Sequence, residues 1–212
     1  MKLGRMVFNA RDCAALNLGD WYRCHVVLNR MFREKQPAEL LWHCEGRCRD
    51  GISFLFLATR EPDVLPGTTP DIAVRDFPES ALPTEGHFEF QVRYAGRRWE
   101  SLPDGTEIDE TISNVRRSPK GILMRQVGLT PEQAAALIVR RGPEWGIDVH
   151  DAVHQGVRYE RLRHRDGPIP LVMHDIAGTF TITDPARFRQ AAFHGIGART
   201  AFGCGLLRYG RL

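Results

Sequence analysis

Apolar and polar residues recur along this chain with periods that set out its elements before any other property is considered. Lys2–Asn9 reads as a strand. Asp20 then stands as cap to a helix from Trp21 to about Glu34, with Trp21, Cys24, Leu28 and Met31 at the spacing of a buried stripe. Leu40–Glu45 and Ile52–Thr59 are strands rich in large apolar residues. Five prolines (Pro62, Pro66, Pro70, Pro78, Pro83) prevent a long helix between Arg60 and Pro83, although a short strand near Ile72–Phe77 survives within the stretch.

Beyond it, HFEFQVRY (87–94) alternates as a half-buried strand, and the polar segment Ala95–Lys120 reads as a long irregular excursion. Thr130-Pro131-Glu132 opens a helix that stops at Gly142-Pro143. Val153–Arg163 and Leu171–Ile182 are long strands joined by the turn signal Asp166-Gly167. Asp184-Pro185 caps a helix to about Phe193, the glycine-rich HGIGARTAFGCG follows, and Leu206–Tyr209 is a last strand. This order predicts an α+β chain of two tandem ferredoxin-like, RRM-like domains, residues 1–82 and 83–212.

The chain has 212 residues, 42% of them hydrophobic and 26% charged, which suits folded domains rather than disorder. No apolar run approaches the length of a membrane span, and the opening residues lack the pattern of a secretory signal, so a cytoplasmic protein with no membrane partner is expected. Five cysteines without that signal predict reduced thiols. Cys44 and Cys48 beside His43 hint at a metal pair, but no second pair stands at zinc-site spacing, and no metal is expected.

The net charge of +3 is mild, and its distribution says more. Residues 1–82 carry 11 basic and 11 acidic side chains, against 18 and 15 in residues 83–212. RRSPKGILMR (116–125) holds Arg116, Arg117, Lys120 and Arg125 with no acid; RYERLRHR (158–165) holds Arg158, Arg161, Arg163 and Arg165 against one glutamate. Only three of the 29 basic residues are lysines, and arginine's planar fork suits phosphates and base edges, although a GC-rich genome also enriches arginine.

Tyr22, His25 and Asn29 form a polar stripe beside the apolar one on the first long helix, with Arg30 and Arg33 near its edge. Histidine can both take and give a proton near neutrality, so these residues hold the parts of a metal-free RNA cleavage in which the 2′-hydroxyl attacks the adjacent phosphate. On spacing alone the imidazole reads more readily as a solvent-facing group of an amphipathic helix. The loop with Gly195, Gly197, Arg199, Gly203 and Gly205 can bring backbone N–H groups close to phosphates, or simply make a tight connection.

GIGARTAFGCGLL (195–207) closely resembles the glycine-rich signature of the CRISPR-associated repeat endoribonucleases, in the form of their CasE branch, the processing subunit of the type I-E Cascade complex. Arg199 stands one place earlier than the basic residue of that pattern. Tyr22-Arg23-Cys24-His25 resembles the Tyr-x-x-His of the family's first helix, and RLRHRDG (161–167) is similar to its arginine-rich hairpin; Arg93–Arg98 departs from its central motif. The resemblance implies that His25 is the general acid/base, Tyr22 its partner and Arg30 a phosphate stabiliser. It implies an endoribonuclease without metal or cofactor that cuts at the 3′ base of the CRISPR repeat stem-loop. The products would be a 2′,3′-cyclic phosphate and a 5′-hydroxyl, with the protein staying bound to RNA and to other Cascade subunits. Two alternatives stand beside this: a non-cleaving hairpin-binding subunit, and a type IV relative whose chemistry uses arginines in place of histidine.

Overall fold

The computed structural model describes residues 1–33, 39–48, 50–103, 115–164 and 167–212. In chain order the elements are β1 (Lys2–Asn9), α1 (Ala10–Leu16), α2 (Trp21–Arg33), β2 (Leu40–Cys48), β3 (Gly51–Ala58), β4 (Asp71–Asp76), β5 (His87–Tyr94), β6 (Arg97–Ser101), β7 (Val115–Arg117), β8 (Leu123–Gly128), α3 (Pro131–Arg141), β9 (Ile147–His164), β10 (Gly167–Ile182), α4 (Pro185–His194) and β11 (Arg208–Arg211).

Two four-stranded antiparallel sheets repeat one plan. The first has the order β2-β3-β1-β4 and the second β11-β5-β10-β9. Numbered within each unit, both are the 4-1-3-2 arrangement of a ferredoxin-like split βαβ, as the element order predicted. The second unit has both crossover helices, α3 and α4. The first has only α2, since residues 59–70 run as an irregular, proline-bearing connection between β3 and β4. That connection closes the end of α2: Asp63 N donates to Met31 O at 2.7 Å and Arg60 Nη1 to Phe32 O at 3.3 Å. Carbonyls that a helix end leaves unpaired thus find donors outside it.

The expected irregular excursion after residue 94 is only partly irregular. Residues 97–101, 115–117 and 123–128 form a third antiparallel sheet, β6-β8-β7, with Arg97 paired to Gly128 and Arg117 to Leu123. These strands are short and arginine-rich, so they lack the apolar alternation that marks a strand. Helix α1 was also missed. Its seven residues are too few for periodicity, and it is held by the Asn9 side chain accepting from Asp12 N (2.9 Å) and by buried Asp12 accepting from Thr69 N.

Each of two hydrophobic clusters draws on both sheets. Met6, Phe8, Trp21, Leu28, Phe54 and Phe56 pack with Leu162, Leu171, Met173 and Cys204. Phe88, Phe90, Phe180 and Phe188 pack with Leu41 and Leu57. Among the described residues no helix is long and apolar enough to cross a membrane.

Candidate active site and nucleic-acid interface

Helix α2 is oriented by its buried stripe. Trp21, Cys24, Leu28 and Met31 are all enclosed, which leaves Tyr22, His25 and Asn29 half-buried on the adjoining face. Asp20 receives the Arg23 N–H at 3.2 Å, as its place before the helix predicted.

Across from this face lies the loop that follows α4. Gly197 and Gly203 both have positive φ (80° and 77°), and a Cβ at either would sit 2.3 Å from the Tyr94 ring or 2.5 Å from the Trp42 ring. Only glycine allows that backbone to lie flat on those aromatic faces. Two indoles then pin the turn at 200–202: Trp21 Nε1 donates to Phe202 O at 2.9 Å and Trp42 Nε1 to Ala201 O at 3.0 Å.

The pinned turn meets the imidazole. His25 Nδ1 lies 2.7 Å from Ala201 O, although the two residues stand 176 apart in the chain. A backbone carbonyl can only accept, so Nδ1 carries the proton and Nε2 keeps the lone pair. Asn29 Nδ2 donates to His25 O at 2.8 Å and lies 2.8 Å from Nδ1 and 3.3 Å from Nε2. Of the two ring nitrogens, only Nε2 can then accept from it. Phe202 lies 4.5 Å and Tyr22 6.0 Å from the imidazole, centroid to centroid. The structure thus brings together two features that the sequence offered separately, the helical histidine and the glycine-rich loop. Arg30 is exposed on the same helix, five residues on, which turns it about 140° round the axis from His25.

The other sequence-predicted residues scatter over a broad surface. Arg117, Lys120 and Arg125 are exposed on or beside the third sheet, where Arg117 Nη1 donates to Gly121 O (3.1 Å) and Arg125 approaches Glu100 at 3.9 Å. Arg161 is exposed on β9. Arg158 instead turns inward, its guanidinium 5.5 Å from the Trp21 ring beside Arg47 (5.0 Å) and Arg93 (5.6 Å). The side chains of Arg116 and Arg163, and Arg165 altogether, lie outside the described residues. Gly195 N–H closes α4 on Ala191 O at 2.9 Å, so of the two loop glycines proposed for phosphate only Gly197 is not engaged in capping that helix.

Sequence reasoning missed a second basic feature. Arg97, Arg98, Arg140 and Arg141 join Arg199 around a cleft of about 1200 Å³. The paired arginines at 97–98 and 140–141 were its only signal. Burial pushes the Cys24 and Cys204 thiols up to about 12 and raises Cys44, so none of the three is a nucleophile near neutrality. The four cysteines with described side chains are free thiols, and among the described residues no group of three or more His, Cys, Asp or Glu is placed to hold a metal ion.

Twin ferredoxin-like sheets, with an imidazole held between a helix of one and a loop of the other, define the class to which this α+β chain belongs. The chain belongs to the CRISPR-associated protein family, whose profile matches residues 1–210. It is similar in structure to the CRISPR endoribonuclease Cse3 bound to a 19-nucleotide RNA: TM-score 0.74, 22% identity, 99% of this chain and 100% of that one covered. It is similar also to the CRISPR-associated protein Cas6e from Escherichia coli K-12: TM-score 0.72, 21% identity, both chains covered to 100%. A chain of a CRISPR RNA-guided surveillance complex matches with TM-score 0.67 and 15% identity, again over 100% of both. No curated protein matches.

Proposed function

We propose that this protein is a metal-independent endoribonuclease of the CasE type. It binds the CRISPR repeat stem-loop, cuts the transcript at the 3′ base of the hairpin, and stays bound as a Cascade subunit. The observation that carries the reading is His25 Nδ1 against Ala201 O, which leaves Nε2 as the proton acceptor. Family membership and the RNA-bound endoribonuclease of like fold support it. The surveillance-complex chain of like fold supports the place in Cascade.

In this reading His25 Nε2 takes the proton of the 2′-hydroxyl, whose oxygen bonds to phosphorus as the bond to the 5′-oxygen breaks. The imidazolium so formed, with Tyr22 beside it, returns a proton to the departing oxygen. A 2′,3′-cyclic phosphate and a 5′-hydroxyl result, and no step needs a metal ion. The family resemblance alone assigns Arg30 to charge on the phosphoryl oxygens, since its place about 140° round α2 turns it away from His25.

The unit of residues 1–82 supplies the catalytic helix, and the unit of residues 83–212 supplies the binding surface. Arg116, Arg117, Lys120, Arg125, Arg161, Arg163 and Arg165 hold stem phosphates, with Gly197 and Arg199 nearer the cut; Arg158, packed on Trp21, braces that surface from beneath. Binding therefore weakens steeply with salt.

The test is the repeat RNA with wild type and His25→Ala in EDTA. Wild type cuts, and the variant binds the hairpin but loses at least about a thousandfold in single-turnover rate. Normal cutting by the variant, or wild-type activity that EDTA abolishes, would remove the mechanism. The packing of the imidazole between Asn29 and Phe202 favours one rival, a hairpin-holding subunit that never cuts. Tight binding by wild type without cleavage selects it.

A further inference from the structure

The arginine cleft is shaped for something other than a duplex. Its rim carries Arg97 and Arg98 of β6, Arg140 and Arg141 at the end of α3, and Arg199 of the loop, against one lining acid, Glu144. Its floor is apolar, with Leu129, Leu137, Leu171 and Val172. Glu144 is engaged by Arg141 at 2.7 Å, and Arg98 Nε is buried with no hydrogen-bond partner. Burial and the charge of Arg199 both lower the pKa of Arg97. Arg98 meets Glu100 at 3.0 Å and Arg97 donates to Pro170 O at 3.1 Å, so these acceptors answer part of the charge. Five cations still line the cleft against its single lining acid, and the net positive field there favours an anion from outside.

A phosphate-bearing ligand satisfies the rim, but the floor discriminates further. In an A-form stem the bases are stacked inside the helix, so a recessed apolar floor gains nothing from it. An unstacked base buries a π-face on such a floor and lies flat under guanidinium planes. The cleft also adjoins the cut, since Arg199 is two residues from Ala201, whose carbonyl holds His25.

We propose that this cleft binds unpaired ribonucleotides flanking the hairpin, a base on the Leu129–Leu137 floor and its phosphates on Arg140 and Arg199. The inference rests on the hairpin reading above and adds to it a single-strand subsite.

The test compares wild type and Arg140→Ala on three RNAs that carry a 2′-deoxy nucleotide at the cut: the bare hairpin, and the hairpin with about four unpaired nucleotides on its 5′ or its 3′ side. Arg140 is exposed, and thermal melting checks that the variant is folded. One extension tightens wild-type binding about tenfold over the bare hairpin, and Arg140→Ala loses most of that gain while holding the bare hairpin as before. The arm that responds identifies the flank. The proposal is overturned if neither extension tightens binding, if the gain survives in the variant, or if the bare hairpin weakens as much as the extended RNA, which would assign the cleft to the stem. Wild type that fails to hold even the bare hairpin would remove the hairpin reading, and the subsite with it.

Discussion

The two sheets share one topology and divide the labour differently. At the first crossover of each unit stands a helix: α2 turns an imidazole toward the other half, while α3 ends in Arg140 and Arg141 beside the cleft. At the second crossover the units diverge. The C-terminal one has α4 and then a loop whose glycines let backbone press against aromatic rings; the N-terminal one has a proline-bearing connection that closes the end of α2 and, through Thr69, holds Asp12 of α1. The comparison teaches that neither half holds a site alone. One brings the imidazole, and the other brings the carbonyl that its Nδ1 faces.

The largest break in that comparison is Gly203→Ala. The residue sits at φ 77°, and the new Cβ would lie 2.5 Å from the Trp42 ring, so the 200–202 turn must lift from α2. A loss of about 2 kcal/mol in stability and of at least about a hundredfold in single-turnover cleavage is expected. Thermal melting and quench-flow on repeat RNA measure both, and unimpaired cleavage would show that the loop does not set the imidazole.

The seam between the halves is probed by acid. His43 on β2 is 3% exposed, with Nδ1 unpartnered, and burial together with Arg93, Arg208 and Arg158 of the other half pulls its pKa down to about 2. The unfolded chain takes up this proton below about pH 6.5 and the folded one does not, so stability falls as pH drops through that value, by up to about 1.4 kcal/mol per unit. His174, lowered by its own burial and by His154, acts in the same direction. Denaturant melts from pH 7 to 5 should show the slope, and His43→Gln should flatten it; an unchanged slope would place the acid sensitivity elsewhere.

The smallest change is the sharpest. Trp42→Phe keeps an aromatic ring under the loop but removes the N–H that Ala201 O accepts, together with part of the indole's buried volume. Cleavage should slow about fivefold, the worth of about one hydrogen bond, with hairpin affinity unchanged and the acid limb of the pH–rate profile displaced. A rate loss matched by lost folding, with the profile unmoved, would make the indole a packing group only.

What the sequence made legible is what local spacing encodes. The buried and polar stripes of α2, the Thr130-Pro131-Glu132 opening of α3 and the glycines after α4 are all short-range patterns, and each stands where it was expected. The βα order of both halves followed from them. The contact between His25 and Ala201 was invisible because no local pattern reports a partner 176 residues away. For the same reason Trp42 looked like an ordinary strand tryptophan, and its N–H donation to the loop had no signature. The arginine cleft gathers residues from a sheet, a helix and a loop whose own neighbours give no hint of a shared wall. Helix α1 and the third sheet were lost to brevity.

The span between ring and carbonyl has a consequence for how the protein comes into being. A ribosome delivers α2 early, and its imidazole stays without the Ala201 carbonyl until a residue 176 positions further on has been polymerised and the second sheet has closed. The pairing of ring and carbonyl therefore arrives late, in one step with the docking of a single turn.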